Sequence, residues 1–174
     1  MKKTLLFASV LTSSLVSAQM TNSNEPAIGE TSNMFLCDSF AANYAGVNGT
    51  SVTWDYTTLT GYVGETRTVS VEDATTTTYA SDFVGATKAM SIGSSLMTYF
   101  SSDANGRSSQ GFLFNEASIG DVLVKLGTDE MITNQYPFAV GNSFTDDFAG
   151  NMEFTFQSFP INESLNGVIN ATID

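Results

Sequence analysis

The feature that most constrains this chain is a two-residue alternation of apolar side chains in short segments. In Met152-Glu153-Phe154-Thr155-Phe156-Gln157, the residues Met152, Phe154 and Phe156 fall on one face of an extended strand and Glu153, Thr155 and Gln157 on the other. Val122, Val124 and Leu126 alternate with Asp121 and Lys125 in the same way, and Arg67, Val69 and Val71 with Thr66, Thr68 and Ser70. Leu96 to Phe100 and Gln110 to Phe114 are further candidate strands. Hydroxyl residues, glycine and aromatics are plentiful, whereas apolar residues recurring at the helical period are missing, which favours strands. Turn signals separate these segments at Gly61, Gly64, Gly85, Gly93, Asn105-Gly106, Gly120, Gly127 and Gly141-Asn142.

Short strands at this spacing imply an all-β sandwich or barrel, and the expectation is an antiparallel β-sandwich of jelly-roll type. Phe144 and Phe148 precede the alternating segment, and Gly150-Asn151 between them predicts a hairpin turn. Asp82 to Met90 is the one place where a short helical turn is expected, and Thr75 to Thr78 reads as an exposed strand edge or loop. Ile169, Ala171 and Ile173 share a strand face that runs to the last residue, Asp174. That pattern is the expectation for a domain cut short, with a sheet edge left open.

The first residues carry a second strong signal. Lys2 and Lys3 form a basic start, Leu5 to Val16 an apolar stretch, and Val16-Ser17-Ala18 a small-residue cleavage site, so a secretory signal over residues 1–18 cleaved after Ala18 is expected. Residues 19–32 then read as a flexible N-terminal segment and residues 33–174 as the sandwich domain. Loss of Lys2 and Lys3 leaves four cations against eighteen carboxylates, a net charge of −14 in place of −12. Such a surface repels phosphate backbones and anionic headgroups, which excludes nucleic acid as a partner. No later stretch approaches the ~20 apolar residues of a membrane-spanning helix. Cys37 is the only cysteine, so an intramolecular disulfide is impossible; a buried thiol and an intermolecular bridge both remain open for it.

Catalytic signals are absent. The chain has no histidine, which removes Ser-His-Asp and Cys-His catalysis and the usual zinc and iron sites. No phosphate-cradling glycine motif occurs. Carboxylates are the remaining catalytic type, and Asp55, Asp146, Asp147 and Glu153 are the candidates for glycoside hydrolysis by an acid and base pair. Their ordinary setting in an acidic β protein instead predicts solvent-facing charges for Asp146 and Asp147, and no catalytic residue is assigned. No cofactor is assigned either. Calcium is the one cofactor left open, at Asp103-Ala104-Asn105-Gly106-Arg107, which starts like an oxygen-ligand loop but places Arg107 at the next ligand position. Three N-x-[ST] sequons begin at Asn48, Asn162 and Asn170, and would carry no meaning if the source were bacterial.

Three stretches resemble a known group. Gly49-Thr50-Ser51-Val52-Thr53-Trp54-Asp55-Tyr56-Thr57-Thr58-Leu59, Tyr136-Pro137-Phe138 with Gly141 to Gly150, and Gly167 to Asp174 are similar to segments of N-terminal domains in exported Bacteroidetes proteins, typically cargo of the type IX (Por) secretion system. The resemblance covers Asn33 to Asp174. It implies a secreted or cell-surface β-sandwich that meets the secretion machinery and carries no catalytic residues. Read from the residues themselves, Trp54 is an inward core ring, Pro137 marks a strand start or edge, and Gly141 and Gly150 serve turns.

Two functions compete at this level. One is a non-catalytic binding or structural module contacting glycans or surface proteins through aromatic side chains such as Tyr62, Tyr79, Tyr99 and Tyr136. The other is an accessory domain of an extracellular, glycan-directed hydrolase.

Overall fold

A computed structural model describes residues 19–37 and 61–173. The expected signal segment, Trp54, Asp55 and the stretch from Gly49 to Leu59 lie outside these residues, as do the side chains of Cys37 and Tyr62. The described chain is all-β and antiparallel. Its strands are β1 (Gln19–Met20), β2 (Thr31–Cys37), β3 (Gly61–Asp73), β4 (Lys88–Ile92), β5 (Leu96–Ser102), β6 (Gly106–Glu116), β7 (Gly120–Asp129), β8 (Met131–Gln135), β9 (Phe138–Ala139), β10 (Ser143–Phe156) and β11 (Phe159–Thr172). Nine of them form one sheet in the order β11-β10-β7-β6-β5-β4-β3-β2, with β8 on β6, and β1 and β9 form a second, two-stranded sheet. Chain neighbours are mostly sheet neighbours, so the large sheet is mostly a meander, and with the second, small sheet the described chain has the all-β, antiparallel, sandwich-type fold expected from its sequence.

Residues paired directly across antiparallel strands share a face, which sorts the sheet into two sides. Ala89, Tyr99, Gly111 and Lys125 form one cross-strand row. The excursion between β3 and β4, residues 74–87, covers this row. Phe83 stacks on Tyr99 with centroids 4.0 Å apart and planes 9° apart. Both rings are buried, in a cluster with Ala74, Ala86 and Ala89. Gly111 makes this possible, because a Cβ there would meet the Phe83 ring at 2.8 Å and the Val124 carbonyl at 2.0 Å. The opposite side is built by Val122, Val124 and Leu126 of β7, all buried, as their alternation predicts.

Two local expectations need correction. Asp82 to Met90 is not helical: turns carry the chain through Gly85, which has φ +99°, and β4 begins at Lys88. Burial of Phe83 against Tyr99 outweighs any helical preference there. The nearest helical turn lies earlier, a 3₁₀ turn at Ala74–Thr76 capped by Asp73, whose side chain accepts from Thr75 N at 2.9 Å; a second 3₁₀ turn is at Asn22–Asn24.

Gly150-Asn151 is not a hairpin turn either. It lies inside the 14-residue β10, at a bulge where the register against β7 shifts between Ala149 and Asn151. A Cβ on Gly150 would sit 1.9 Å from the Lys125 carbonyl oxygen, so glycine is there for close backbone approach. The reversal comes at Gln157 and Ser158, both at positive φ, 49° and 70°, as a two-residue hairpin loop demands. Met152 and Phe154 are half-buried, while Phe156, near the tip, is 49% exposed. On β11, Ile169, Ala171 and Ile173 are half-buried and Val168, Asn170 and Thr172 exposed, the alternation expected for them.

Candidate functional site

A cleft of about 930 Å³ lies at one end of the sheet. Its walls are the β5–β6 turn from Ser101 to Ser108, the β7–β8 corner from Gly127 to Ile132, and Gln135 to Pro137, with Asp146 contributed by β10. The turn folds tightly because Asp103 Oδ1 accepts from the backbone N–H groups of Asn105 at 2.7 Å and Gly106 at 3.1 Å. These bonds hold the Asp103 carboxyl below its ordinary value, the Asn105 amide foremost. The same carboxylate that the sequence offers to calcium is therefore the turn's own clasp. No group of three or more His, Cys, Asp or Glu side chains placed to hold a metal occurs among the described residues.

Hydroxyl groups of Ser101 and Ser108 line one wall, backed by the buried Gln110 amide. Ser101 Oγ and Ser108 Oγ are 3.1 Å apart, Gln110 Nε2 donates to both at 3.2 Å, and Ser108 Oγ donates to Glu130 Oε2 at 2.8 Å. Gln110 is buried and its Oε1 has no partner. Across the cleft, Asp146 Oδ2 accepts from the Ile132 backbone N–H at 2.6 Å. Asp146 is thus half-buried and structurally engaged, not the solvent-facing charge expected; Asp147, one residue on, is exposed.

Behind the cleft lies an ion pair that local sequence does not reveal, because its partners are 82 residues apart. Glu25, whose side chain is 3% exposed, receives Arg107 Nε at 3.0 Å and Nη2 at 2.7 Å. The Tyr136 hydroxyl donates to the same carboxylate. Burial, with the Glu25 carboxylate second, pushes the Tyr136 phenol up to about 12. Arg107 also lies over the Phe100 ring, 4.6 Å from its centroid, a cation–π contact. Lys88 Nζ donates to the Pro26 carbonyl at 2.8 Å, and β1 pairs with β9. Residues 19–32, read from the sequence as flexible, are tied to the sheet at these points.

A second polar cluster sits on the Tyr99 side of the sheet. Lys125 Nζ binds Glu153 Oε2 at 2.5 Å and Asp82 Oδ1 at 3.1 Å. Burial alone would lower Lys125, but the bonds to Glu153 and Asp82 outweigh it and raise the ammonium above its ordinary value. The Lys125 bond likewise holds Glu153 low. Tyr79 donates to Asp121 Oδ2, which raises the phenol to about 12 and lowers the carboxyl.

Chain and family comparisons add no relative: no family model, no curated protein and no solved structure matches this chain.

Geometry therefore decides among the sequence candidates. Asp146 and Glu153 point to opposite faces of β10 and are seven residues apart, roughly 23 Å along a strand, beyond the ~5–9.5 Å of a glycosidic acid and base pair. Of the candidate aromatics, Tyr99 is fully buried and Tyr136 nearly so, and Tyr79 is half-buried with its hydroxyl engaged, so these three form no exposed stacking platform. Asp103, Asn105, Asp146 and Tyr136 are brought together at the cleft, but Ser101, Ser108, Glu130 and the Glu25–Arg107 pair were missed. The only available signal was a polar run, Ser101-Ser102-Asp103 and Arg107-Ser108-Ser109-Gln110, on strands whose neighbours are apolar.

The arrangement is rich in acceptors. Glu130, Asp129 and Asp146 face a space whose only cationic lining side chain, Arg107, is neutralised by Glu25. It suits donors such as sugar hydroxyls or ammonium groups and repels anions. No helix among the described residues is long and apolar enough to cross a membrane.

Proposed function

We propose that this protein is an exported or cell-surface binding module without chemistry of its own, and that the cleft between the β5–β6 turn and the β7–β8 corner is its ligand site. The observation that carries this reading is the pairing of an acceptor-lined cavity with a locked floor. Ser101, Ser108, Glu130 and Asp146 present oxygen atoms, while Glu25, Arg107 and Tyr136 fix the wall behind them. A pre-formed site of this kind loses little entropy on binding. The ligand class is a neutral or amino-substituted glycan, recognised by hydrogen bonds rather than by stacking. Export through a cleavable signal, and kinship with type IX secretion cargo, belong to the same proposal and rest on the N-terminal residues and the resembling segments.

Titration of the protein with neutral, amino-substituted and sulfated oligosaccharides, followed by amide chemical shifts, tests the site. Shifts confined to Ser101–Ser108 and Gly127–Ile132, lost in Glu130→Gln, are expected. Preference for the sulfated series, or shifts elsewhere only, refutes it.

A further inference from the structure

Among the described residues β11 is an outer edge of the sheet. Among the described residues it pairs only with β10, over its full 14 residues. The parity of that ladder follows from its end, where Ile173 N donates to the Asn142 carbonyl at 3.1 Å and the Ile173 carbonyl accepts from Gly141 N at 2.8 Å. Odd-numbered residues of β11 thus bond inward to β10, and the backbone N–H and C=O groups of Asn162, Ser164, Asn166, Val168, Asn170 and Thr172 point outward. Pro160, which has no N–H, occupies an outward position, as an edge strand requires.

Edge strands of soluble proteins are usually protected by charge, proline or a bulge. Beyond Pro160 and Glu163 this one is not. From Ser164 to Ile173 the strand carries no charged residue, in a chain of net charge −12. The register against β10 is unbroken, so no bulge twists the edge away. The order of residues is also self-complementary about Val168. Reading outward from it, Gly167 faces Ile169, Asn166 faces Asn170, Leu165 faces Ala171 and Ser164 faces Thr172. Two copies placed antiparallel about a two-fold axis at Val168 therefore match amide to amide, hydroxyl to hydroxyl and apolar to apolar. The outward groups of Ser164, Asn166, Val168, Asn170 and Thr172 then form about ten ladder bonds. The half-buried row of Leu165, Ile169 and Ala171 continues across the junction.

We propose that β11 is a homotypic docking edge, through which two copies of this chain join into one continuous sheet centred on Val168. The contact is small, at the weak end of protein interfaces, so association is concentration-dependent.

Sedimentation velocity of the protein from about 10 µM to about 1 mM, the range in which such small interfaces assemble, reads the association directly. The sedimentation coefficient is expected to rise towards that of a dimer. Val168→Lys and Val168→Glu each place like charges directly opposite across the two-fold and weaken association on the order of 10-fold, whereas an equimolar mixture of the two restores it. Hydrogen exchange supplies a readout without substitution: the amides of Asn166, Val168 and Asn170 gain protection as concentration rises. A wild-type chain that stays monomeric over the range overturns the proposal. So does a mixture that fails to re-associate, or protection of these amides that is already complete in the dilute protein, which would mean that another part of the same chain covers the edge.

Discussion

Replacing Glu25 with alanine removes the one carboxylate that both Arg107 and Tyr136 address. The mutated side chain is 3% exposed and the guanidinium side chain 22%, so the cation left behind has partial access to water. Breaking a fully buried pair costs about 3–5 kcal/mol, and partial solvation of Arg107 reduces this to roughly 2–4 kcal/mol. For a chain of 174 residues that is a fall in Tm on the order of 5–15 °C. Chemical denaturation followed by circular dichroism measures the loss, and a double-mutant cycle with Arg107→Ala isolates the pair. The double variant is expected to be nearer to either single variant than to their sum, since the two deletions remove the same contact. Local cleavage in residues 19–30 by a dilute protease should accelerate in Glu25→Ala before the rest of the chain is attacked. A loss below about 0.5 kcal/mol, in the range of an exposed pair, refutes the assignment of Glu25 as the anchor of the N-terminal segment.

Two other outcomes follow from the geometry. Gly150→Ala puts a Cβ on the Lys125 carbonyl oxygen, which cannot move without breaking the β7–β10 ladder, so a loss of about 2–4 kcal/mol by urea unfolding is expected, with near-neutral stability refuting the bulge. Alkali should weaken the fold: Tyr79 and Tyr136 ionise near 12 in the folded chain against an ordinary 10.0, so the folded state holds more protons above pH 10. Stability is then complete below pH 10 and lost as pH rises towards 12, by about 2–3 kcal/mol for Tyr136 alone, and Tyr136→Phe should flatten that part of a stability–pH curve.

The parts of the fold that were legible in the sequence are those where burial and period agree. Val122, Val124 and Leu126 alternate because one face of β7 is buried throughout, and the glycines at 85, 93, 120 and 141 mark reversals where φ is positive. Legibility failed where one residue type serves two purposes. Gly150-Asn151 has the composition of a turn, yet its glycine admits a neighbouring carbonyl inside a strand. Gln157-Ser158 turns the chain with residues that seldom accept a left-handed backbone, because the long β10–β11 ladder fixes where the reversal must fall. The cleft was half visible. Asp103 and Asn105 announced a loop, but its partner Glu25 lies far away in sequence and no period links them.

The bulge beside Gly150 also sets how this chain can vary. Because β7 carries two extra residues between Lys125 and Asp129 opposite Ala149 to Asn151, β10 keeps its own alternation through the bulge, and a lone insertion or deletion in β10 there would turn Met152 and Phe154 over to the side now held by Glu153 and Lys125. Length changes in this strand are therefore tolerable only in pairs, or when matched by a change on β7, and related chains should keep the spacing from the bulge to the tip fixed while the tip residues themselves drift.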